Sequence, residues 1–146
     1  MISDLKFEDV LDVLLFLRKQ HELFNYSEKE AFAVDHSYGT QLVGKAHTDG
    51  CSFVYRKDSK ITGVALSYIL PNIWIPAHKE LHMLAIVADT PIAGGKLFYN
   101  WEKRATSWLD NGYIKRILVD SIPVSKGINY RKLGFHKVRE TYAKER

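Results

Sequence analysis

Three side chains in this 146-residue chain are suited to proton transfer and stand beside predicted elements of regular structure. Tyr130 lies four residues before Gly134, which is placed to end a helix in the left-handed conformation, and Phe135 then begins a predicted strand. A phenol keeps its proton at neutral pH, so Tyr130 can act as an acid. Glu80 and His82 alternate at the start of a nearly apolar run. A carboxylate or an imidazole there can accept a proton, so the three residues are the candidate catalytic set.

Each of the three also has a purely structural interpretation. Tyr130 can pack as a helix tyrosine against Leu133 and Phe135. Glu80 can begin its strand in solvent, and His82 can be a hydrogen-bonded strand histidine. The spacing alone leaves both interpretations open.

A second chemical feature is the glycine-bearing turn at 88–96, between the apolar run and the next predicted helix. The start of a helix offers unpaired N–H groups and the positive end of its dipole, and glycines let a phosphate approach the backbone closely. The turn therefore predicts an anion site at Ala93, Gly94, Gly95 and Lys96. The alternative is a tight strand-to-helix turn without a ligand.

Hydrophobic periodicity and turn residues predict the elements that must position these groups. In the first half we predict a strand at 1–6, a helix with a broad apolar face at 7–20 and a helical region at 27–47. A hairpin follows, with strands at 52–57 and 61–70. The apolar face of the first helix consists of Phe7, Val10, Leu11, Leu14, Leu15 and Leu17. The helical region opens with a capping box, Ser27 and Glu30, and is expected to break near Gly39 or Gly44.

The second half begins with a predicted central strand covered on both faces, at 81–88, and the turn to Lys96 then leads into a helix that reaches about Asn111. Leu97, Trp101 and Ala105 recur in that helix at helical spacing and are predicted to be core. A strand, a helix and a final strand follow at 114–120, 124–133 and 135–143. Strand alternation places Glu80, His82, Leu84 and Ile86 on one face of the central strand. Leu81, Met83, Ala85 and Val87 then share the other face.

This order of elements, the glycine-bearing turn and the motif from Tyr130 to Phe135 resemble the GNAT superfamily of N-acetyltransferases over essentially the whole chain. The resemblance implies an α/β (mixed α+β) fold in a single domain, 1–146. A central mixed sheet of six to seven strands would have about four helices distributed on both faces. It also implies acetyl-CoA as the co-substrate.

The resemblance gives roles to the candidate residues. Tyr130 would protonate the departing CoA thiolate, and Glu80 or His82 would deprotonate the amine. Backbone groups of Leu84, Ile86 and Val87 on the central strand would bind the thioester carbonyl and pantetheine. Ala93, Gly94, Gly95 and Lys96 in the turn would bind the pyrophosphate. Ser125 on the last helix would add a further contact. Candidate walls of the acceptor side are Tyr38, Tyr68, Trp74 and His78.

Three positions depart from the family's pattern. Asp89 stands where the turn has a glutamine or arginine, and Ile92 where it has its first glycine. Pro123 occupies the position seven residues before Tyr130 that is commonly asparagine in the family.

Composition bounds the remaining possibilities. No apolar stretch approaches the roughly 20 residues that span a bilayer, and no export signal is visible, so we expect a cytoplasmic protein without a membrane partner. The single cysteine, Cys51, cannot form an internal disulfide. The histidines lack metal-ligand spacing, so no metal is expected.

Residues 115–146 carry nine Lys and Arg against three Asp and Glu, a net charge of +6. Such a charge suits either binding of nucleic acid or a solvated basic tail.

The sequence thus favours an N-acetyltransferase that acts on a small-molecule or protein amine. The first alternative is a catalytically inactive GNAT-like domain that binds a protein, which the departures at Asp89, Ile92 and Pro123 support. A nucleic-acid-binding domain ranks last because no aromatic-basic motif accompanies the charge. The oligomeric state stays open, with a homodimer as one alternative.

Overall fold

The structure, a computed structural model, describes residues 1–23, 36–120, 129–138 and 144. Its strands are β1 (Ile2–Asp4), β2 (Phe53–Lys57), β3 (Lys60–Pro71), β4 (Lys79–Ala88) and β5 (Arg116–Leu118). Its α-helices are α1 (Val10–Leu23), α2 (His36–Asp49) and α3 (Pro91–Asp110). Short 3-10 helices at Phe7–Asp9 and Arg131–Leu133 complete the described elements.

The five strands form one mixed sheet in the order β1-β2-β3-β4-β5. The first three pairings are antiparallel, and β5 joins β4 in parallel. The β2–β3 connection is the predicted hairpin, and both central residues of its turn, Asp58 and Ser59, have positive φ angles of 51° and 65°. That geometry matches the right-handed twist of the flanking strands.

Two cores lie on opposite faces of the sheet. On one face α1 and α2 cover β2 and β3 through the buried residues Leu5, Val10, Val13, Leu14, Phe16, Val43, Ala46, Val54, Val64, Leu66 and Tyr68. On the other face α3 packs through Leu97, Phe98, Trp101 and Ala105 against Cys51, Phe53, Ala65, Leu81, Met83 and Ile114. The helical spacing read from Leu97, Trp101 and Ala105 is therefore confirmed as core.

The first helix buries a different stripe from the one predicted. Val10 and Leu14 are buried, but Phe7, Leu11 and Leu15 are exposed, and Val13 and Phe16 pack inward instead. The run is apolar on nearly every side, so periodicity could not single out the buried face. The helix is entered through Asp9, whose carboxylate accepts the Lys6 N–H at 3.0 Å and pairs with Arg56.

The second helix runs unbroken through Gly39 and Gly44, so the expected break is wrong. At Gly39 an added Cβ would lie 2.7 Å from Leu14 Cδ2. The glycine therefore permits close packing of α2 on α1 rather than interrupting the helix. The capping box predicted at Ser27 and Glu30 lies outside the described residues.

The expected six to seven strands and four helices are not confirmed, because the described residues contain five strands and three α-helices. The strand predicted at 114–120 is reduced to β5. Residues 135–138 form no strand, contrary to the prediction, and 139–143 are not described. The first half of the predicted last helix, 124–128, also falls outside the described residues, and its second half contains the 3-10 helix Arg131–Leu133.

Candidate active site

A one-residue bulge interrupts β4 in the middle of the sheet. In its pairing with β3, Ala85 faces Leu66 and Met83 faces Ser67, which leaves Leu84 as the extra residue. A bulge reverses the alternation beyond it, so the predicted faces are wrong from Leu84 onward. Val87 packs with the α1–α2 core and Ile86 with the α3 core. Glu80 and His82 precede the bulge and lie on the α1–α2 side of β4.

The sheet opens at the same place. Parallel pairing of β5 with β4 ends at Leu118 opposite His82, whereas β4 continues to Ala88. Within the described part of the chain, no strand pairs with that edge of β4 beyond the bulge. Leu84 is exposed and the residues after it are only half-buried. Both cores contact this half of the strand, through Val87 on one face and Ile86 on the other, so the expected cover is present but incomplete. We call this gap the β4–β5 opening.

A carboxylate and an imidazole meet at the start of the opening. Glu80 is buried, and its Oε1 lies 3.5 Å from His82 Nε2. This is ion-pair distance, but the Nε2 atom is sealed from solvent and makes no hydrogen bond. Glu80 is therefore not the solvated strand residue of the structural interpretation, and the Nε2 atom of His82 is not satisfied as that interpretation expects.

The other carboxylate oxygen of Glu80 is held by two groups that the sequence analysis did not identify. Arg116 Nη1 on β5 donates to Oε2 at 3.3 Å, and Asn72 Nδ2 in the β3–β4 loop donates to it at 3.4 Å. Arg116 is brought to Glu80 only by the parallel register, which no sequence signal reveals. The two contacts fix the carboxylate so that Oε1 faces the histidine.

Tyr68 lies opposite His82 on β3 and extends the polar group. Burial, together with nearby Tyr38 and Asp49, raises the pKa of Tyr68 to about 12. Its hydroxyl is buried without a hydrogen-bond partner, and Lys45 Nζ lies 5.5 Å from its ring centroid. Tyr68 thus stays protonated, and it is the candidate wall residue closest in register to the Glu80–His82 pair.

The turn after β4 is shorter than predicted. Helix α3 begins at Pro91 with Thr90 as its N-cap, so Ala93, Gly94, Gly95 and Lys96 lie inside the helix and not in the turn. The Thr90 hydroxyl accepts the Ala93 N–H at 3.2 Å, and the Thr90 carbonyl accepts the Gly94 N–H at 3.0 Å. These two amides are therefore already engaged.

Asp89, which departs from the family's pattern, is turned toward α1. Its Oδ1 accepts a hydrogen bond from the buried Gln20 Nε2 at 2.7 Å. Helix α1 lies on the face of the sheet opposite α3, so this bond draws the carboxylate away from the first turn of α3. The electrostatic conflict with an anion at that turn is reduced accordingly.

The two glycines of α3 are not required by the packing of the protein. A Cβ at Gly95 would meet nothing within 4 Å, and one at Gly94 would meet only Ala88 Cβ at 3.8 Å. A glycine inside a helix costs roughly 1 kcal/mol relative to alanine. Two successive glycines that no protein atom demands are consistent with close approach of a ligand to the helix.

Tyr130 lies on the α3 side of the sheet. Its ring packs edge-on against Phe98 and Phe135, with centroid distances of 5.7 and 6.0 Å. Its carbonyl accepts the N–H groups of Leu133 and Phe135, and Gly134 follows with φ of +86°. The predicted left-handed glycine after Tyr130 is confirmed.

The structure therefore brings Glu80 and His82 together and places Tyr130 with the core on the opposite face. Ser125 and Pro123 lie outside the described residues, as does much of the basic stretch at 115–146. Among the residues described, no three His, Cys, Asp or Glu side chains converge as a metal site. Nor does any described helix combine the length and apolarity needed to cross a bilayer.

Comparison with solved structures identifies the fold. A predicted acetyltransferase with acetyl-CoA from Clostridium acetobutylicum is 12% identical, with a TM-score of 0.67 over 99% of this chain and 95% of that one. Glucosamine-6-phosphate N-acetyltransferase from Arabidopsis thaliana is 15% identical, with a TM-score of 0.64 over 99% and 97%. An aminoglycoside acetyltransferase from an uncultured soil metagenomic sample is 16% identical, with a TM-score of 0.60 over 100% and 96%.

The likeness lies in the fold and not in the sequence. No family model matches the chain, and no curated protein matches it. The solved structures nevertheless cover nearly all of it, and they are acetyltransferases of one architecture. The chain therefore has the fold of the GNAT superfamily of N-acetyltransferases.

Proposed function

We propose that the chain is a single-domain acyltransferase, 1–146, that moves an acetyl group from acetyl-CoA to a primary amine. The observation that carries the proposal is the position of the β4–β5 opening, which begins at the bulge directly after the Glu80–His82 pair. An unpaired strand edge can hydrogen-bond an extended pantetheine chain and a thioester carbonyl. The carboxylate and imidazole stand where an amine would meet that carbonyl.

The reaction would proceed by direct attack. An ammonium has no lone pair, so Glu80 or His82 first accepts its proton. The neutral amine nitrogen then bonds to the thioester carbon, and the carbon–sulfur bond breaks with its electron pair going to the thiolate. The Tyr130 hydroxyl would give its proton to that thiolate, and the second proton lost by the amide nitrogen would restore the hydroxyl through solvent.

The coenzyme end of the site is supported by the start of α3. Gly94, Gly95 and the exposed Lys96 would lie beside the pyrophosphate, with Ala93 at the capped first turn. The backbone of Leu84, Ile86 and Val87 would follow the pantetheine along β4. Ser125 remains a proposed further contact.

The proposed acceptor is an amine, and the loops around the site would determine which amine is accepted. Solved structures of this fold include an acetyltransferase for glucosamine-6-phosphate, one for aminoglycosides and one for ribosomal-protein alanine. These proteins support an amine acceptor in general and favour no single compound, because one scaffold serves many substrates.

Two experiments test the proposal in sequence. Isothermal calorimetry with acetyl-CoA should give binding below millimolar concentration, and release of free CoA should then depend on an added primary amine. Absence of binding near millimolar acetyl-CoA would overturn the proposal.

A catalytically inactive, protein-binding domain is the second candidate. The observation in its favour is that the Ala93 and Gly94 amides are already engaged with Thr90. It predicts acetyl-CoA binding without turnover of any amine, or no binding at all. Amine-dependent release of CoA would exclude it.

A further inference from the structure

The loop between β3 and β4 presents an apolar tip to solvent. Ile73 and Trp74 are 83% and 84% exposed, and the adjoining Ile75 is 48% exposed. Pro71 and Pro76 bracket the three residues, as the sequence indicates. Isolated exposed apolar residues are ordinary, but three in succession, one of them a tryptophan, form a surface suited to a ligand or a partner.

The tip is held in place by one residue. The Asn72 side-chain carbonyl accepts the N–H groups of Trp74 and Ile75 at 2.9 and 3.0 Å. The Asn72 N–H donates to the His78 carbonyl at 2.8 Å, and the His78 N–H donates to the Ile75 carbonyl at 2.9 Å. These bonds pre-organise the backbone of the tip, which reduces the conformational entropy that a ligand must offset.

The same residue connects the tip to the candidate base. Asn72 Nδ2 donates to Glu80 Oε2, so one side chain spans the tip and the carboxylate. The tip lies before the first residue of β4, whereas the Thr90 turn follows the last. A coenzyme bound at the Thr90 end leaves the Glu80 end of the strand for the acceptor, and the tip borders that end.

Two exposed lysines of the described residues, Lys79 and Lys115, lie at the base of the tip. Lys79 begins β4, its carbonyl accepts the Lys115 N–H at 2.8 Å, and Arg116 follows on β5. The Lys79 ammonium lies 5.0 Å from the ring centroid of the exposed Tyr113. The charge of Arg116 is offset by its pairing with the buried Glu80, so the exposed cations that remain are Lys79 and Lys115. A polycationic acceptor would be repelled here.

We propose that this tip, Ile73 to Ile75, is the acceptor subsite, and that it takes a primary monoamine carried on an apolar or aromatic body. The inference rests on the proposed N-acetyltransferase function. The apolar body would pack on Trp74 while the amine reaches toward the Glu80–His82 pair. Exposed apolar surface supplies the affinity, and the surrounding lysines select against additional positive charge on the acceptor.

The test uses three amines and one substitution. In the full chain, 2-phenylethylamine should have kcat/KM roughly tenfold or more above ethylamine, because burial of a large apolar group discriminates by about that factor. Spermidine should be a poorer acceptor than 2-phenylethylamine. Trp74→Ala should remove most of the preference for 2-phenylethylamine over ethylamine. Phe7→Ala, which truncates an aromatic residue that is 77% exposed elsewhere, should leave the preference unchanged.

A binding measurement separates this inference from the proposed function. Trp101 is buried and Trp108 is partly buried, so exposed Trp74 should dominate any blue shift of tryptophan emission when 2-phenylethylamine is added. The shift should disappear in Trp74→Ala whether or not turnover occurs. Turnover of ethylamine and 2-phenylethylamine with equal kcat/KM, unaffected by Trp74→Ala, would overturn the inference and leave the acetyltransferase function standing.

Two further results would also overturn the inference. One is a dimer in sedimentation that dissociates in Trp74→Ala, since a second copy of the chain would then occupy the tip. The other is a preference for spermidine over 2-phenylethylamine. If the wild-type chain turns over no amine yet shows the Trp74-dependent shift, the proposed function fails and the binding site remains.

Discussion

Glu80 Oε1 lies 3.5 Å from His82 Nε2, two residues further along the same strand. The other oxygen of Glu80 is held by Arg116 and Asn72, so the carboxylate presents a fixed edge to the imidazole. In the proposed mechanism the two side chains form one unit, in which either member takes the proton of the amine while the other lies beside it.

Substitution of either member should lower the rate of acetyl transfer. Glu80→Gln keeps the shape of the side chain but removes its charge, and His82→Asn removes the imidazole. General base catalysis contributes about 10²- to 10⁴-fold, so we expect at least a roughly 10²-fold loss of kcat in each variant. Amine-dependent CoA release measures the loss. Glu102→Gln, a carboxamide swap on α3, is the control, and wild-type kcat in both test variants would contradict the base assignment.

Tyr130→Phe should separate catalysis from packing. The substitution keeps the ring against Phe98 and Phe135 and removes only the hydroxyl. We expect kcat to fall by about 10²-fold while the midpoint of urea unfolding stays unchanged. Tyr99→Phe, which alters a half-exposed tyrosine on α3, should change neither quantity. Equal activity of Tyr130→Phe and wild type would show that another group protonates the thiolate.

Gly95→Ala should have opposite effects on stability and on coenzyme binding. Its Cβ would meet no protein atom, so the helix should gain up to about 1 kcal/mol of unfolding free energy. A methyl group at the start of α3 should however obstruct a pyrophosphate and weaken acetyl-CoA binding in calorimetry. Gly44→Ala on α2, where a Cβ also meets nothing, should give the stability gain alone. Unchanged acetyl-CoA affinity in Gly95→Ala would place the phosphates elsewhere.

The buried thiol should make the chain less stable in alkali. Burial raises the pKa of Cys51 from 9.0 to about 11, with a hydrogen bond to Ser67 opposing the shift in part. Between these pH values the unfolded chain releases the thiol proton and the folded chain keeps it, so the free energy of unfolding falls as pH rises. The shift corresponds to about 2–3 kcal/mol lost by pH 11.

Urea unfolding of wild type and Cys51→Ala at several pH values between 8 and 11 measures that loss. The free energy of unfolding of wild type minus that of Cys51→Ala should fall as pH rises, because only wild type carries the thiol. Parallel curves would contradict the assigned shift.

The elements with local signals were predictable from sequence. The Asp58–Ser59 hairpin, the core spacing of Leu97 and Trp101 and the left-handed Gly134 all depend on a few neighbouring residues, and all are confirmed. The acid and base candidates were identified by their residue types and their places beside strand and helix ends.

The features that failed depend on long-range pairing. The bulge at Leu84 exists only in relation to Leu66 and Ser67 on β3, so alternation counted along β4 alone gives the wrong faces beyond it. Arg116 and Asn72 reach Glu80 through sheet register and loop shape. Gly39 looked like a helix breaker because the nearness of Leu14 cannot be seen from α2 itself.

The hydrogen bond between Gln20 and Asp89 connects the end of α1 to the residue that precedes the N-cap of α3. Helices on opposite faces of the sheet thereby share one mechanical connection, so a change that tilts α1 would also move the residue that leads into α3. Loss of this bond would free both the end of α1 and the residue that precedes the Thr90 N-cap.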